Sequence, residues 1–171
     1  MKKHFLFIVL VLIVQTIDAQ TSMKAYEGGH TYQLSLPNYM SKTGGLNSAA
    51  SIQYKSVIKD VYGFVIYDTK EELNLVEMNF SSISEFYEEF MNDFLVCEKS
   101  KKVSTPKFST QGKISFIESD VFYYDQDAEL EIFYLVGVVE TEKAFYKVIS
   151  WSSAENKDQF KVDFQQILYS I

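Results

Sequence analysis

Few side chains in this 171-residue chain could carry chemistry, which has two histidines and one cysteine to draw on. A serine triad or a cysteine dyad needs an imidazole base, and once His4 is set aside as part of the N-terminal segment, only His30 remains. His30 stands beside Gly28-Gly29, and no nucleophile motif occurs elsewhere. A hydrolase built on His30 is therefore the least favoured reading, and no catalytic residue is assigned. Zinc and copper centres draw on several His or Cys ligands, so the same shortage leaves only metals that bind oxygen. The acidic stretch Asp120, Asp125, Asp127, Glu129, Glu131 is the one place that suits calcium. Its spacing fits no EF-hand: counted from Asp125, Leu130 takes the place of the sixth-position glycine and Val136 that of the twelfth-position glutamate. Asp125, Asp127 and Glu129 are thus weak metal candidates, and a hairpin turn over Asp125 to Ala128 accounts for them without an ion. Gly28-Gly29 and Gly44-Gly45 are isolated pairs with no Lys-Ser or Lys-Thr after them, so no phosphate loop and no cofactor site is expected.

The elements that would position such groups follow from periodicity. His30 to Leu36 alternates, with Tyr32, Leu34 and Leu36 on one face and Pro37 closing it, as in a half-buried strand. Asn38 to Ser48 reads as a loop. Strands are expected at Ala50 to Lys55 and at Val61 to Tyr67, the latter apolar on both faces and so in need of cover on each side. Ser82 and Glu85 form a capping box ahead of Ile83, Phe86, Tyr87, Phe90, Met91, Phe94 and Leu95 at helical spacing. Core packing explains this aromatic stripe better than a ligand site does. Strands at Val103 to Thr110, Ile114 to Tyr123, Leu130 to Val139 and Ala144 to Ser152 are joined by turns short enough for a meander of hairpins. Ile132 to Val139 is continuously apolar and reads as a central strand with helices over both of its faces. A last helix is expected from Ser152 or Ser153, capped by the Ser152 and Glu155 pair. Its stripe is Phe160, Phe164, Ile167, Leu168 and Ile171, with Lys157, Asp158, Lys161 and Gln165 facing water.

Lys2 and Lys3, the apolar run Phe5 to Val14 and the polar stretch ending near Ala19 have the order of a secretory leader, the run being about half of what a membrane span needs. Residues 1–19 are expected to be removed, leaving residues 20–171 as one periplasmic or secreted domain with no transmembrane segment. The full chain carries −7, and losing Lys2, Lys3 and Asp18 takes it one unit further negative. Such a surface repels phosphate backbones and argues against nucleic acid as a partner. A single cysteine allows no internal disulfide, and Cys97 is expected to be buried at the end of a helix. Stability must come from packing, for which 14 Phe, 12 Tyr and one Trp supply the area.

The opening strand that ends in Leu34-Ser-Leu-Pro37, the run Phe145-Tyr-Lys-Val-Ile-Ser-Trp151-Ser and the Phe160 to Ser170 helix together resemble the PsbP-like superfamily. This superfamily includes the extrinsic subunit of plant photosystem II, a yeast nuclear-transport factor and many bacterial exported proteins. The resemblance covers most of the mature chain and is closest to the bacterial exported members. It implies an α+β fold, an antiparallel sheet of about six to seven strands flanked by helices on both faces, an α/β/α sandwich. It also implies a non-enzymatic binding or assembly role in the bacterial cell envelope, with an unknown envelope protein as partner. The alternative suggested by the aromatic content is a carrier of a small apolar ligand in a cavity between sheet and helix.

Overall fold

The computed structural model describes residues 21–29, 31–98 and 100–171, so the proposed leader and His30 lie outside the described residues. Alternating apolar runs build ten strands: β1 (Met23–Gly28), β2 (Tyr32–Pro37), β3 (Ser41–Thr43), β4 (Ile52–Ser56), β5 (Val61–Thr69), β6 (Lys102–Val103), β7 (Lys107–Gln111), β8 (Ile114–Asp125), β9 (Leu130–Glu140) and β10 (Ala144–Ser153). Three α-helices join them: α1 (Lys70–Leu75), α2 (Ile83–Asp93) and α3 (Lys157–Leu168). The fold is α+β. An antiparallel eight-stranded sheet runs β3-β4-β5-β10-β9-β8-β6, with β7 also on β8, and β1 and β2 form a separate hairpin. The expected meander holds from β7 through β10, and β10 then pairs with β5, which precedes it by far in sequence. Among the described residues, no helix is long and apolar enough to cross a membrane.

One face of the sheet carries α3 and the β1–β2 hairpin. Phe160, Phe164, Ile167 and Leu168 are all buried there against Leu34, Leu36, Phe133, Leu135 and Val148. Each such side chain contributes about 1.5–3 kcal/mol by leaving water. The helix sits low on β9 because Gly137 has no side chain: a Cβ there would lie 2.3 Å from Leu168 Cδ1. Ser35 N donates to Ser170 Oγ at 2.8 Å and ties the hairpin to the helix end.

Three expectations about α3 change. The strand β10 runs on to Ser153, a 3-10 turn covers Ala154–Asn156, and the helix starts only at Lys157 without a side-chain cap. Extending the ladder to Ser153↔Ile132 consumes the residues that would have formed the capping box. Lys157, Lys161 and Gln165 do not face water either. Spaced four apart, they line one side of α3 over the polar positions of β8. Lys161 Nζ donates to Asp120 Oδ1 and Oδ2 at 2.7 Å each, Lys157 Nζ lies 3.0 Å from Asp120 Oδ2, and Gln165 Nε2 donates to Glu118 Oε1 at 2.7 Å. Burial raises the Asp120 carboxyl's pKa, and the two ammonium groups outweigh that and hold it below its ordinary value.

The other face carries α1 and α2. Phe86 and Tyr87 are buried over Ile117, Val138 and Phe145, so the stripe of α2 is core in its middle. Ser82 Oγ accepts from Glu85 N at 3.3 Å, which is half of the expected box. The Glu85 carboxylate turns instead to Ser81, accepting from its N and Oγ at 2.7 Å each. The helix ends at Asp93, and Leu95 at φ 53° turns the chain outward, so Cys97 is exposed rather than buried. The strand expected at Val103 to Thr110 is two strands. Ser104 N donates to Asp120 O and Ser104 Oγ accepts from Asp120 N, both at 2.9 Å, after which Pro106 has no N–H to continue the ladder.

Candidate binding groove

Strand β5 was expected to be covered on both faces, and it is covered fully on one only. Val61, Gly63 and Val65 are buried, whereas Tyr62, Phe64, Ile66 and Asp68 on the opposite face are half-buried. Helix α2 is eleven residues long and lies over β8 and β9, which leaves the β5 side of this face open. Between α2 and that open strip runs a groove of about 270 Å³.

The register of the sheet sets its floor. Ile66 pairs with Lys147 and Asp68 with Phe145, so Asp68 and Lys147 stand on the same face one step apart diagonally. Lys147 Nζ lies 2.7 Å from Asp68 Oδ2. That oxygen is closed to solvent and receives no well-directed hydrogen bond, so the pair is held by charge rather than by a satisfied network. The ammonium also lies 5.1 Å and 5.7 Å from the ring centroids of Phe86 and Phe90, within cation–π range. The side chains of Lys147 and Asp68 keep 21% and 29% of their exposure, so the ion pair is reachable from the groove.

The walls come from local sequence signals. Thr69 and Glu72 form a complete capping box that starts α1, a helix for which no sequence expectation was made. It places Leu73 over the groove. Glu77 at φ 61° then reverses the chain, with Met78 N donating to Leu73 O at 2.9 Å, and returns Met78 and Phe80 to the same ridge. Phe80 meets Phe86 edge to face at 5.0 Å, and Phe86 stacks on Phe145 at 4.3 Å with the rings 9° apart. Glu89 and Asp93, one turn apart on α2, form the outer rim. On the far side of the ridge, a second recess of about 110 Å³ holds Lys70, whose Nζ lies 2.6 Å from Glu140 Oε1 and 4.9 Å from the Phe145 ring. Beside the ridge, Leu75, Val76 and Met78 are 79%, 65% and 44% exposed.

The candidates named from sequence lie elsewhere. Asp125, Asp127 and Glu129 surround the β8–β9 turn at the opposite end of the sheet from Asp68. Asp125 Oδ1 accepts from Asp127 N and Ala128 N at 3.0 Å each, and its Oδ2 accepts from Tyr123 OH at 3.1 Å. The Ala128 amide, then the Tyr123 hydroxyl, hold that carboxyl below its ordinary pKa against a weak opposing effect of burial. Its lone pairs serve the turn. Among the described residues, no three His, Cys, Asp or Glu side chains gather as a metal-holding group. A larger concavity, about 370 Å³, lies over Glu27, Thr31, Tyr32 and Gln33 at the hairpin turn, and among the described residues no ion pair converges on it. Asp68, Lys70, Glu140 and Lys147 were not singled out from sequence. A lysine inside the apolar run Phe145 to Ile149 was the available signal, since a charge at a sheet-facing position needs a partner.

No family model and no curated protein matches the sequence. Solved structures do match. Cyanobacterial PsbP (CyanoP) from Synechocystis sp. PCC 6803 is 15% identical, with 88% of this chain and 91% of that one covered at a TM-score of 0.59. LpqN, described as involved in cell envelope biogenesis of Mycobacterium tuberculosis, is 10% identical over 90% of this chain and 84% of its own, TM-score 0.53. A Pseudomonas aeruginosa protein of unknown function, described as a putative regulator, is 8% identical over 87% and 95%, TM-score 0.52. At these identities the likeness concerns architecture alone: the chain has the PsbP-like fold.

Proposed function

We propose that this chain is an exported, non-enzymatic binding or assembly module of the bacterial cell envelope, and that the groove beside α2 is its binding surface. The observation that carries this reading is the groove itself: an apolar ridge, an accessible ion pair and a run of exposed apolar residues meet beside α2, next to the open face of β5. The leader pattern of residues 1–19 supports export. LpqN, with the same fold, is described as acting in envelope biogenesis, which supports the setting. A fold hosts many functions, so the site carries more of the weight than the likeness does.

A carrier of a small apolar molecule is less well supported. Pockets for such ligands run from about 300 to 1,000 Å³ and bury most of the ligand. The groove, at about 270 Å³, is open along one side and ends in charges. It suits one or two side chains of a larger partner better.

Site-specific photo-crosslinking in the native cell tests the reading. A photoreactive residue replaces Met78 in the groove and, separately, Phe108, which is 62% exposed on β7. The reading expects a discrete adduct from position 78 and none of the same size from position 108. Equal adducts, or none from 78, would overturn it.

A further inference from the structure

The charges around the groove indicate what kind of partner enters it. We infer that the occupant is a basic, amphipathic segment of a partner protein, with an apolar side chain seated against the Leu73, Met78 and Phe80 ridge and flanking lysine or arginine on the α2 rim. This rests on the groove being the binding surface. Three carboxylates, Asp68, Glu89 and Asp93, meet a single ammonium, Lys147, that is already committed to Asp68. Glu89 and Asp93 form no ion pair among the described residues, and both stand exposed within one turn of α2, spaced to receive two cations or one guanidinium. An anionic partner would meet this rim with like charges. A wholly apolar one would strand the Lys147–Asp68 pair away from water, with Asp68 Oδ2 still lacking a directed donor. A basic segment avoids both, since its cations lie on the Glu89 and Asp93 rim beside the ion pair while its apolar anchor fills a recess of side-chain size. Met78, an unbranched and flexible side chain, can repack against different anchors.

Three capped twelve-residue peptides serve as probes on the purified protein, followed by amide NMR. One carries a phenylalanine between lysines, one the same phenylalanine between glutamates, and one the lysines with alanine in place of phenylalanine. The inference expects the first to move amides of α1 and α2 and to bind at least about tenfold more tightly than either of the others. It also expects E89Q/D93N to weaken that peptide about fivefold, an effect that shrinks in 0.5 M salt. Both substitutions are at exposed positions, and an unchanged melting curve shows that the variant remains folded. Binding of the glutamate peptide as tightly as the lysine peptide, no binding by any of them, or indifference to E89Q/D93N would overturn the inference. If these peptides fail while the position-78 adduct forms in cells, the groove remains the binding surface and only its preference for basic partners is wrong.

Discussion

Replacing the Asp68–Lys147 pair separates a structural role from a binding one. Lys147→Met keeps the length of the stem against Phe86 and Phe90 but removes the charge that meets Asp68 Oδ2, an oxygen closed to solvent. Breaking a fully buried pair costs about 3–5 kcal/mol. Here both side chains keep a fifth to a third of their exposure, so screening lowers the expected cost to about 1–3 kcal/mol for K147M. Asp68→Asn leaves the ammonium with an amide oxygen and two aromatic faces, and should cost about 1–2 kcal/mol. The double variant strands no charge, and paired replacement of buried ions by uncharged groups is often neutral or stabilising. D68N/K147M should therefore fall within about 1 kcal/mol of the parent, a coupling of roughly 2–5 kcal/mol in the double-mutant cycle. For a chain of this size each kcal/mol is about 2–4 °C in Tm, so calorimetric or circular-dichroism melts resolve it. The same double variant should weaken the position-78 adduct, because the ion pair on the groove's floor is gone while the Glu89 and Asp93 rim and the fold are kept. Strictly additive single costs would show that the two groups do not act as a pair, and the argument from the ion pair to a binding floor would fail.

Other consequences follow from the same contacts. Gly137→Ala sets a Cβ 2.3 Å from Leu168 Cδ1 on a helix that cannot retreat, so it should cost about 1–3 kcal/mol by urea unfolding, and less in a Leu168→Ala background. Asp120 is held below its ordinary pKa in the native state, so its contribution is complete above the unfolded carboxylate value near pH 4 and is lost as pH falls through the lower folded value. Acid melts of Asp120→Asn should accordingly show a smaller loss of stability below about pH 4 than the parent does. Cys97 is exposed, so a maleimide or disulfide reagent should modify it without denaturant and leave Tm unchanged. A thiol that reacts only after unfolding would contradict the outward turn at Leu95.

Most of the framework was legible because it rests on local periodicity. The strands from Ile114 to Ser153 and the stripes of α2 and α3 declare themselves by spacings of two and four, and short turns dictate their pairing. What was not legible depends on pairing across long separations. Lys157, Lys161 and Gln165 look like a solvated helix face until β8 is known to lie beneath α3 with Glu118 and Asp120 upward. Asp68 and Lys147 become neighbours only once β10 returns to β5. The openness of one β5 face depends on where α2 ends, which an apolar strand cannot disclose. Thr69 and Glu72, by contrast, were a readable capping box for α1, hidden because the helix has only six residues and no buried stripe of its own.

The groove as binding surface is tested most directly by comparing crosslinking yield at position 78 in the parent chain and in a variant whose rim charges are reversed, E89R/D93R, with position 108 as the internal reference. The account predicts that the adduct from position 78 falls severalfold in the variant while the yield at 108 and the melting temperature stay as they were. An undiminished adduct from position 78 in a folded E89R/D93R protein would contradict it.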